Sequence, residues 1–217
     1  MVDWQDIDDV FLDMDGTLLD LHYDDHFWQE HLPQRYAEIH GRDETDARNE
    51  LERVFKSHQG TLNWYCVDFW TQELGLDIAN LKEETRHLIA IHDGVLDFLH
   101  YVEKLGKPRI LVTNAHRKVL NLKMEHTEME RCLDKIVSSH DLGLPKEDPQ
   151  FWSKLQSLLA YDPQKTLFVD DNIEVLDSAK KYGIKHLYTI SQPSSQKPKR
   201  EKLPYPIIEN FRQLISD

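Results

Sequence analysis

Positive charge is scarce in this chain. Lysine and arginine number 26 against 39 aspartates and glutamates, leaving a formal net charge of -13 over 217 residues. A surface of that sign repels polynucleotides and anionic membranes, so neither is an expected partner. A small anionic molecule remains admissible, provided that a cation or local donors receive it. Cysteine is almost absent. Cys66 and Cys132 stand in no CxxC or other ligand spacing, which reads as two incidental thiols rather than a disulfide framework. No apolar run approaches transmembrane length. The acidic opening MVDWQDIDD lacks the apolar stretch of a signal peptide. No internal repeat is visible. The expectation is a reduced, cytoplasmic protein. Its 40% hydrophobic content suffices for one sizeable core and a smaller accessory unit.

The stretch around Asp9–Asp20, DVFLDMDGTLLD, is where chemistry first shows. Val10, Phe11 and Leu12 read as a buried parallel strand. The run stops at Asp13, and Asp15, Gly16 and Thr17 follow. An apolar strand that delivers two carboxylates at its C-terminal tip puts them where α/β sheets keep their sites. Taken alone, the pattern also fits a strand followed by an Asx-turn.

From His22 to Ile91 the pattern is helical. Helices are expected over His26–Ile39, Asp43–His58, Leu62–Leu74 and Ile78–Ala90, punctuated by Gly41, Gly60 and Gly75. Strand and helix then alternate. Strands are expected at Arg109–Thr113, Lys135–Ser139, Thr166–Asp170 and His186–Ile190. Helices are expected at Gly94–Leu105, His116–Glu125, Pro149–Ala160 and Ile173–Tyr182. Asp148 and Pro149 give the third of these its cap and first position. Alternation of this kind implies a doubly wound parallel sheet, an α/β Rossmann-like core with an inserted helical subdomain. The division is residues 1–20 with 90–217 for the core and 21–89 for the insert. Within the core, 191–206 is rich in Pro, Ser and Lys and reads as a mobile connector. A short terminal helix is expected at Ile207–Ile215.

Strand ends in such a sheet converge on one crevice. That gathers Asp13, Asp15, Thr113, Asn114, Lys146, Asp170 and Asp171. Thr113 and Asn114 could instead cap the helix near His116, and Asn172 the next one, while Lys146 could be a solvated lysine. Those readings leave strand-end carboxylates clustered without counter-charge. A hard divalent ion with oxygen ligands resolves this, and Mg2+ suits a site whose shell a substrate phosphate completes. Thr113, the amides near Asn114, and Lys146 then supply donors to phosphate, in an electrostatic frame suited to phosphoryl transfer.

Asp13-Met-Asp-Gly-Thr17, Thr113, Lys146 and Asp170-Asp171 resemble, in order and spacing, the four signature motifs of the haloacid dehalogenase superfamily. The insert resembles the helical cap of that superfamily's first cap class. More narrowly, LDMDGTLLDL, TLNWYC, LVTNAH and PKED resemble the bacterial purine-nucleotide phosphatases that hydrolyse GMP and IMP. The resemblance implies Asp13 as the nucleophile forming an aspartyl-phosphate, and Asp15 as general acid and then base. It implies Mg2+ held by the Asp13 and Asp170 carboxylates and the Asp15 carbonyl, with Asp171 further out. Thr113 and Lys146 would bind the phosphoryl group. Dehalogenases of the superfamily lack a carboxylate at the position of Asp15, and a phosphonate-cleaving variant would need a Schiff-base lysine. Lys56 and Lys82 sit in no recognisable context for that role. A phosphomutase or a sugar-phosphate phosphatase of the same fold, and a catalytically silent scaffold, are the alternatives. In one departure, Glu147 stands where proline often follows the motif lysine. It is expected to point away from Lys146.

In the insert, Leu62, Cys66 and Phe69 would share a helical stripe flanked by Tyr65 and Trp70, most simply as subdomain core. Asn63 and Trp64 would face the crevice and contact a substrate base. His22 and His26 have i,i+4 spacing but lack the HExxH context of a zinc site. The expected partner is a small phosphorylated metabolite, a purine nucleotide.

Overall fold

The computed structural model describes residues 2–216. Six strands form one parallel sheet, β1 (Asp9–Leu12), β2 (Arg109–Thr113), β3 (Lys135–Ser138), β4 (Thr166–Val169), β5 (His186–Ile190) and β6 (Ile207–Ile208), ordered β3-β2-β1-β4-β5-β6. β1, β2 and β4 are buried almost throughout. Their side chains alternate between two cores. Val10, Leu12, Leu111, Leu167 and Val169 pack on one face, and Phe11, Ile110, Val112 and Phe168 on the other. Unbroken apolar runs are what a sheet covered on both faces requires. β1 lies at the centre, with β2 and β4 on either side. The order reverses there, and the crevice at the strand C-termini opens between them.

Between β1 and β2 lie helices α1 (His22–His26), α2 (Leu32–His40), α3 (Glu44–His58), α4 (Val67–Leu74) and α5 (Ile78–Glu84). They build a third core around Phe27, Leu32, Leu51, Val67, Trp70 and Ile78. The chain enters and leaves this region through two neighbouring segments. Leu19 bridges Ile91, Asp20 N–H donates to Ala90 at 2.9 Å, and His92 N–H to Leu18 at 2.9 Å. α1 and α2 are joined by a π-helical turn at Phe27–His31. Pro33, just inside α2, has no N–H for the carbonyl of Gln29, four residues back. The Arg48 guanidinium donates to that carbonyl instead.

Beyond that region run α6 (Val95–Lys104), which precedes β2, then α7 (Arg117–Thr127), α8 (Ser139–Leu142), α9 (Pro149–Leu158) and α10 (Ile173–Tyr182). Two expectations fail locally. The helix expected over Leu62–Leu74 is broken: a 3-10 turn at Leu62–Tyr65 is followed by Cys66 in extended backbone, which caps α4 through its sulfur. The terminal helix expected at Ile207–Ile215 is a two-residue strand and a 3-10 turn at Phe211–Leu214. β-Branched Ile207 and Ile208 pair with Thr189 and Ile190, and Phe211 packs on Phe98. The segment 191–206 has no helix or strand, and hydrogen bonds join it to the core. Pro193 O accepts from Leu21 N–H, Ser195 N–H donates to Asp20, and Arg200 N–H donates to Ser191.

Candidate active site

The apolar β1 ends at Asp13, which is buried at 6% exposure. Its Oδ1 accepts from Lys146 Nζ at 2.5 Å, and the same ammonium donates to Asp170 Oδ2 at 2.7 Å and to the Val112 carbonyl at 3.1 Å. Residues 133 and 24 apart in the chain from Lys146 thus meet on one nitrogen. Lys146 is itself held from behind, since its N–H donates to Asn114 Oδ1 at 2.9 Å. Asp170 follows β4 and caps the turn into α10 through Asn172 N–H. Asp171 completes the group: Asp13, Asp170 and Asp171 each bring one carboxylate oxygen within 4.8 Å of the others. Of the three, Asp171 is the least buried.

Gly16 makes this approach possible. Its φ is +83°, and a Cβ there would lie 2.8 Å from the Asp171 carboxylate. Thr17, fully buried, accepts from Asp171 N–H at 3.0 Å. The Asp-x-Asp-Gly-Thr string therefore holds the far side of the site as well as its own. Arg200, from the segment after β5, donates to the Asp171 carbonyl at 2.9 Å and the Ile190 carbonyl at 2.6 Å.

Three carboxylates face one ammonium here, so two negative charges lack a near partner. The carboxyls respond as physics requires. Burial, opposed by Lys146 and reinforced by Asp170, pushes Asp13 up to about 6. Burial also raises Asp170, and burial with repulsion from Asp170 and Asp13 raises Asp171 well above the carboxylate range. A hard divalent ion supplies the two missing charges, and an all-oxygen donor set suits it. The residues present fit Mg2+.

Asp15 faces away from this trio. Lys123, from α7, donates to it at 2.6 Å and to Asp24 of α1 at 2.6 Å, and Lys82 of α5 donates to Asp24 at 2.8 Å. Lys82 also lies over the rings of Tyr23, Phe27 and Trp28. Burial lifts Asp15 to about 6 against the pull of Lys123. Burial also acts to raise Asp24, but Lys123 and Lys82 outweigh it and hold that carboxyl at about 2. Lys82, committed in this way, is not a free amine. Asp24→Ala leaves the fully buried Lys82 with no hydrogen-bonded carboxylate, and the expected cost is about 3 kcal/mol in urea unfolding.

Glu147 does point away from Lys146. It accepts from Tyr65 Oη at 2.5 Å, Asn114 Nδ2 at 2.9 Å and Asn172 Nδ2 at 3.4 Å. Burial and the carboxylate raise the Tyr65 phenol, which stays protonated and donates. The Asn114 side chain is thereby committed at both ends, to Lys146 and to Glu147. Its carbonyl oxygen positions the Lys146 backbone, and its NH2 keeps a second proton to donate. Thr113 is buried, accepts from Ala115 N–H at 3.0 Å and keeps its own hydroxyl proton available.

Asp13, Asp15, Thr113, Lys146, Asp170 and Asp171 line one cavity of about 760 Å3. Its opposite wall is aromatic: Trp28, Phe55, Trp64, Tyr65 and Trp70, with Arg48 beside them. Trp64 stands edge-on to Phe55 and Trp70. Asn63, expected beside it, is exposed and lies outside the lining, because the 3-10 turn aims it outward. Among the described residues neither His22 nor His26 belongs to a group of three metal-type ligands. Reasoning from the sequence missed Lys123, Asp24, Glu147 and Arg200 as parts of the site. Only Glu147, adjacent to Lys146, carried a signal.

Residues 7–183 match the family model for haloacid dehalogenase-like hydrolases, and the chain belongs to that family. It is an enzyme of the phosphoric monoester hydrolase class. The chain is 37% identical over 212 residues to the GMP/IMP nucleotidase YrfG of Escherichia coli, covering 98% of this chain and 96% of that protein. In fold it is similar to a HAD phosphatase from Thermococcus onnurineus, with a TM-score of 0.79 at 18% identity over 96% of each chain. It is also similar to the L-2-haloacid dehalogenase of Xanthobacter autotrophicus, with a TM-score of 0.65 at 15% identity over 96% of each. Among the described residues no helix is long and apolar enough to cross a membrane.

Proposed function

We propose that this chain is a Mg2+-dependent phosphomonoesterase that hydrolyses the purine nucleoside monophosphates GMP and IMP through an aspartyl-phosphate. The observation that carries the reading is the sharing of Lys146 Nζ by Asp13 and Asp170 at the mouth of an aromatic-walled cavity. The Asp13 oxygen attacks phosphorus as the bond to the nucleoside oxygen breaks, and Asp15 delivers its proton to that leaving oxygen. Asp15, now a carboxylate, takes a proton from water. That water attacks phosphorus, the Asp13–phosphorus bond breaks, and inorganic phosphate leaves with Asp13 restored. Thr113 and Lys146 bind the transferring oxygens. Asp13, Asp170 and the Asp15 carbonyl would hold Mg2+, with Asp171 beside them. The ion supplies charge neutralisation of the phosphoryl group.

On this reading residues 1–20 and 90–217 are the catalytic core and 21–89 a cap. The paired entry and exit strands at Leu19 and Ile91 are its hinge, and the Tyr65–Glu147 bond its closed contact. The cap's aromatic wall receives the base, since base–aromatic stacking contributes about 1–3 kcal/mol. Trp64→Ala is accordingly expected to lower kcat/KM for GMP by roughly tenfold or more while leaving a small sugar phosphate nearly unchanged. An unchanged ratio between the two substrates would remove Trp64 from base recognition. We place the enzyme in the cytoplasm, on its two unpaired cysteines.

Phosphate release from GMP, IMP and a panel of phosphorylated metabolites, with and without EDTA, tests the whole. Metal-dependent release that favours the purine nucleotides is expected. Turnover that needs a bisphosphate activator would indicate a phosphomutase. No turnover with Mg2+ present would leave a scaffold.

A further inference from the structure

A second group of ligand-type side chains lies beside the cavity, which one of them, His116, lines, where the helical segment meets the edge of the sheet. Cys66 sits in extended backbone ahead of α4, His116 caps α7, and His140 lies on α8. Each brings one ligand atom within 4.8 Å of the other two. All three are partly buried, and the imidazoles meet edge to face at 4.9 Å. His140 Nε2 is buried and has no hydrogen-bond partner. A buried nitrogen in that state costs about 1–3 kcal/mol, so it calls for a partner. Cys66 Sγ accepts the Phe69 N–H at 3.4 Å, at the start of α4. The bond from Lys118 N–H to His116 Nδ1 is long, at 3.5 Å, and weak enough to yield to a stronger ligand. Asp68 Oδ2 stands 3.7 Å from His116 Nε2, outside the group of three.

One sulfur and two imidazole nitrogens form a borderline-soft set suited to tetrahedral Zn2+ with water in the fourth position, unlike the all-oxygen set at Asp13. We propose that Cys66, His116 and His140 form a Zn2+ site, separate from the carboxylate cluster, that fastens the helical segment to the sheet and restrains turnover. The restraint rests on reading residues 21–89 as a cap that must open; the binding of the metal does not.

Co2+, added to the full chain with Mg2+ saturating, is the probe. Wild type should take up one equivalent and show a sulfur-to-cobalt charge-transfer band in the near ultraviolet, which Zn2+ abolishes by displacement. Cys66→Ser and His140→Gln, checked for native circular dichroism, should bind at least about tenfold more weakly, and the first should lose the band. Zn2+ should inhibit wild type at concentrations that leave Cys66→Ser unaffected. Absence of the thiolate band in wild type would overturn the proposal, as would equal Zn2+ affinity in wild type and Cys66→Ser, which would put the ion on the carboxylates. The band is read without any substrate, so the site stands or falls independently of the nucleotidase reading.

Discussion

Asp13→Asn is expected to lower kcat/KM for phosphomonoesters by about 10^4-fold or more, the scale seen when an enzyme loses its nucleophile. Asparagine keeps the shape of the side chain and loses both the attacking oxygen and the charge. The fold should tolerate it. Burial pushes the Asp13 carboxyl up to about 6 from an ordinary 3.8. A carboxyl raised in the folded state contributes stability that is complete below pH 3.8 and is lost as the pH rises through about 6. At pH 7.5 the carboxylate therefore contributes none of that stability, and its removal relieves repulsion with Asp170. Metal-free Tm at that pH should be equal to wild type or higher, while the Tm gain on adding Mg2+ shrinks. Steady-state kinetics and thermal melts measure both. A variant that turns over within tenfold of wild type would take the nucleophile's role from Asp13.

The second large effect concerns Asp15 and the lysine that holds it. Asp15→Asn should cost about 10^2- to 10^4-fold in kcat, the usual value of a general acid–base group. Lys123→Met should cost roughly 10^2-fold by a different route. Lys123 is the counter-charge that opposes the burial of Asp15. Without it Asp15 stays protonated to higher pH, remains an able acid and becomes a poor base. The first half-reaction survives and the second slows, so phosphoenzyme accumulates and a burst of nucleoside appears. With burial pushing Asp13 and Asp15 up to about 6, kcat is expected to rise with pH near 6 in wild type and at higher pH in the variant. Lys123→Arg should restore most of the profile. A Lys123→Met enzyme with lowered kcat but an unmoved profile and no burst would assign Lys123 to structure alone.

The sheet and the carboxylate cluster were legible in the sequence because both are written locally. Unbroken apolar runs such as RILVT and TLFV can only be strands buried on both faces. Polar residues at their C-terminal ends meet once the strands align. Asp13 and Asp170 needed no further information to be placed together. The groups that position the catalytic side chains were not legible. Lys123 is midway along a helix, and Asp24 lies in the run HYDDH; nothing in either neighbourhood says that Lys123 bridges Asp24 and Asp15. That contact exists only once the helical segment packs on α7, a tertiary event with no local signature. Cys66 failed for a related reason. The apolar stripe across 62–74 continues at helical spacing, but the sulfur takes the Phe69 N–H and ends the run. The closing strand β6 is two residues long, too short for periodicity to separate from a helix.

The central claim is that Asp13 and Asp170 share one Mg2+ and that Asp13 accepts the phosphoryl group. A crystal structure of the full chain grown with Mg2+ and beryllofluoride, a mimic of a phosphorylated carboxylate, tests it most directly. Beryllofluoride on the Asp13 carboxylate, beside one Mg2+ ligated by both Asp13 and Asp170, is the expected result. Beryllofluoride seated on another residue, or Mg2+ bound without Asp13 and Asp170, would contradict the account.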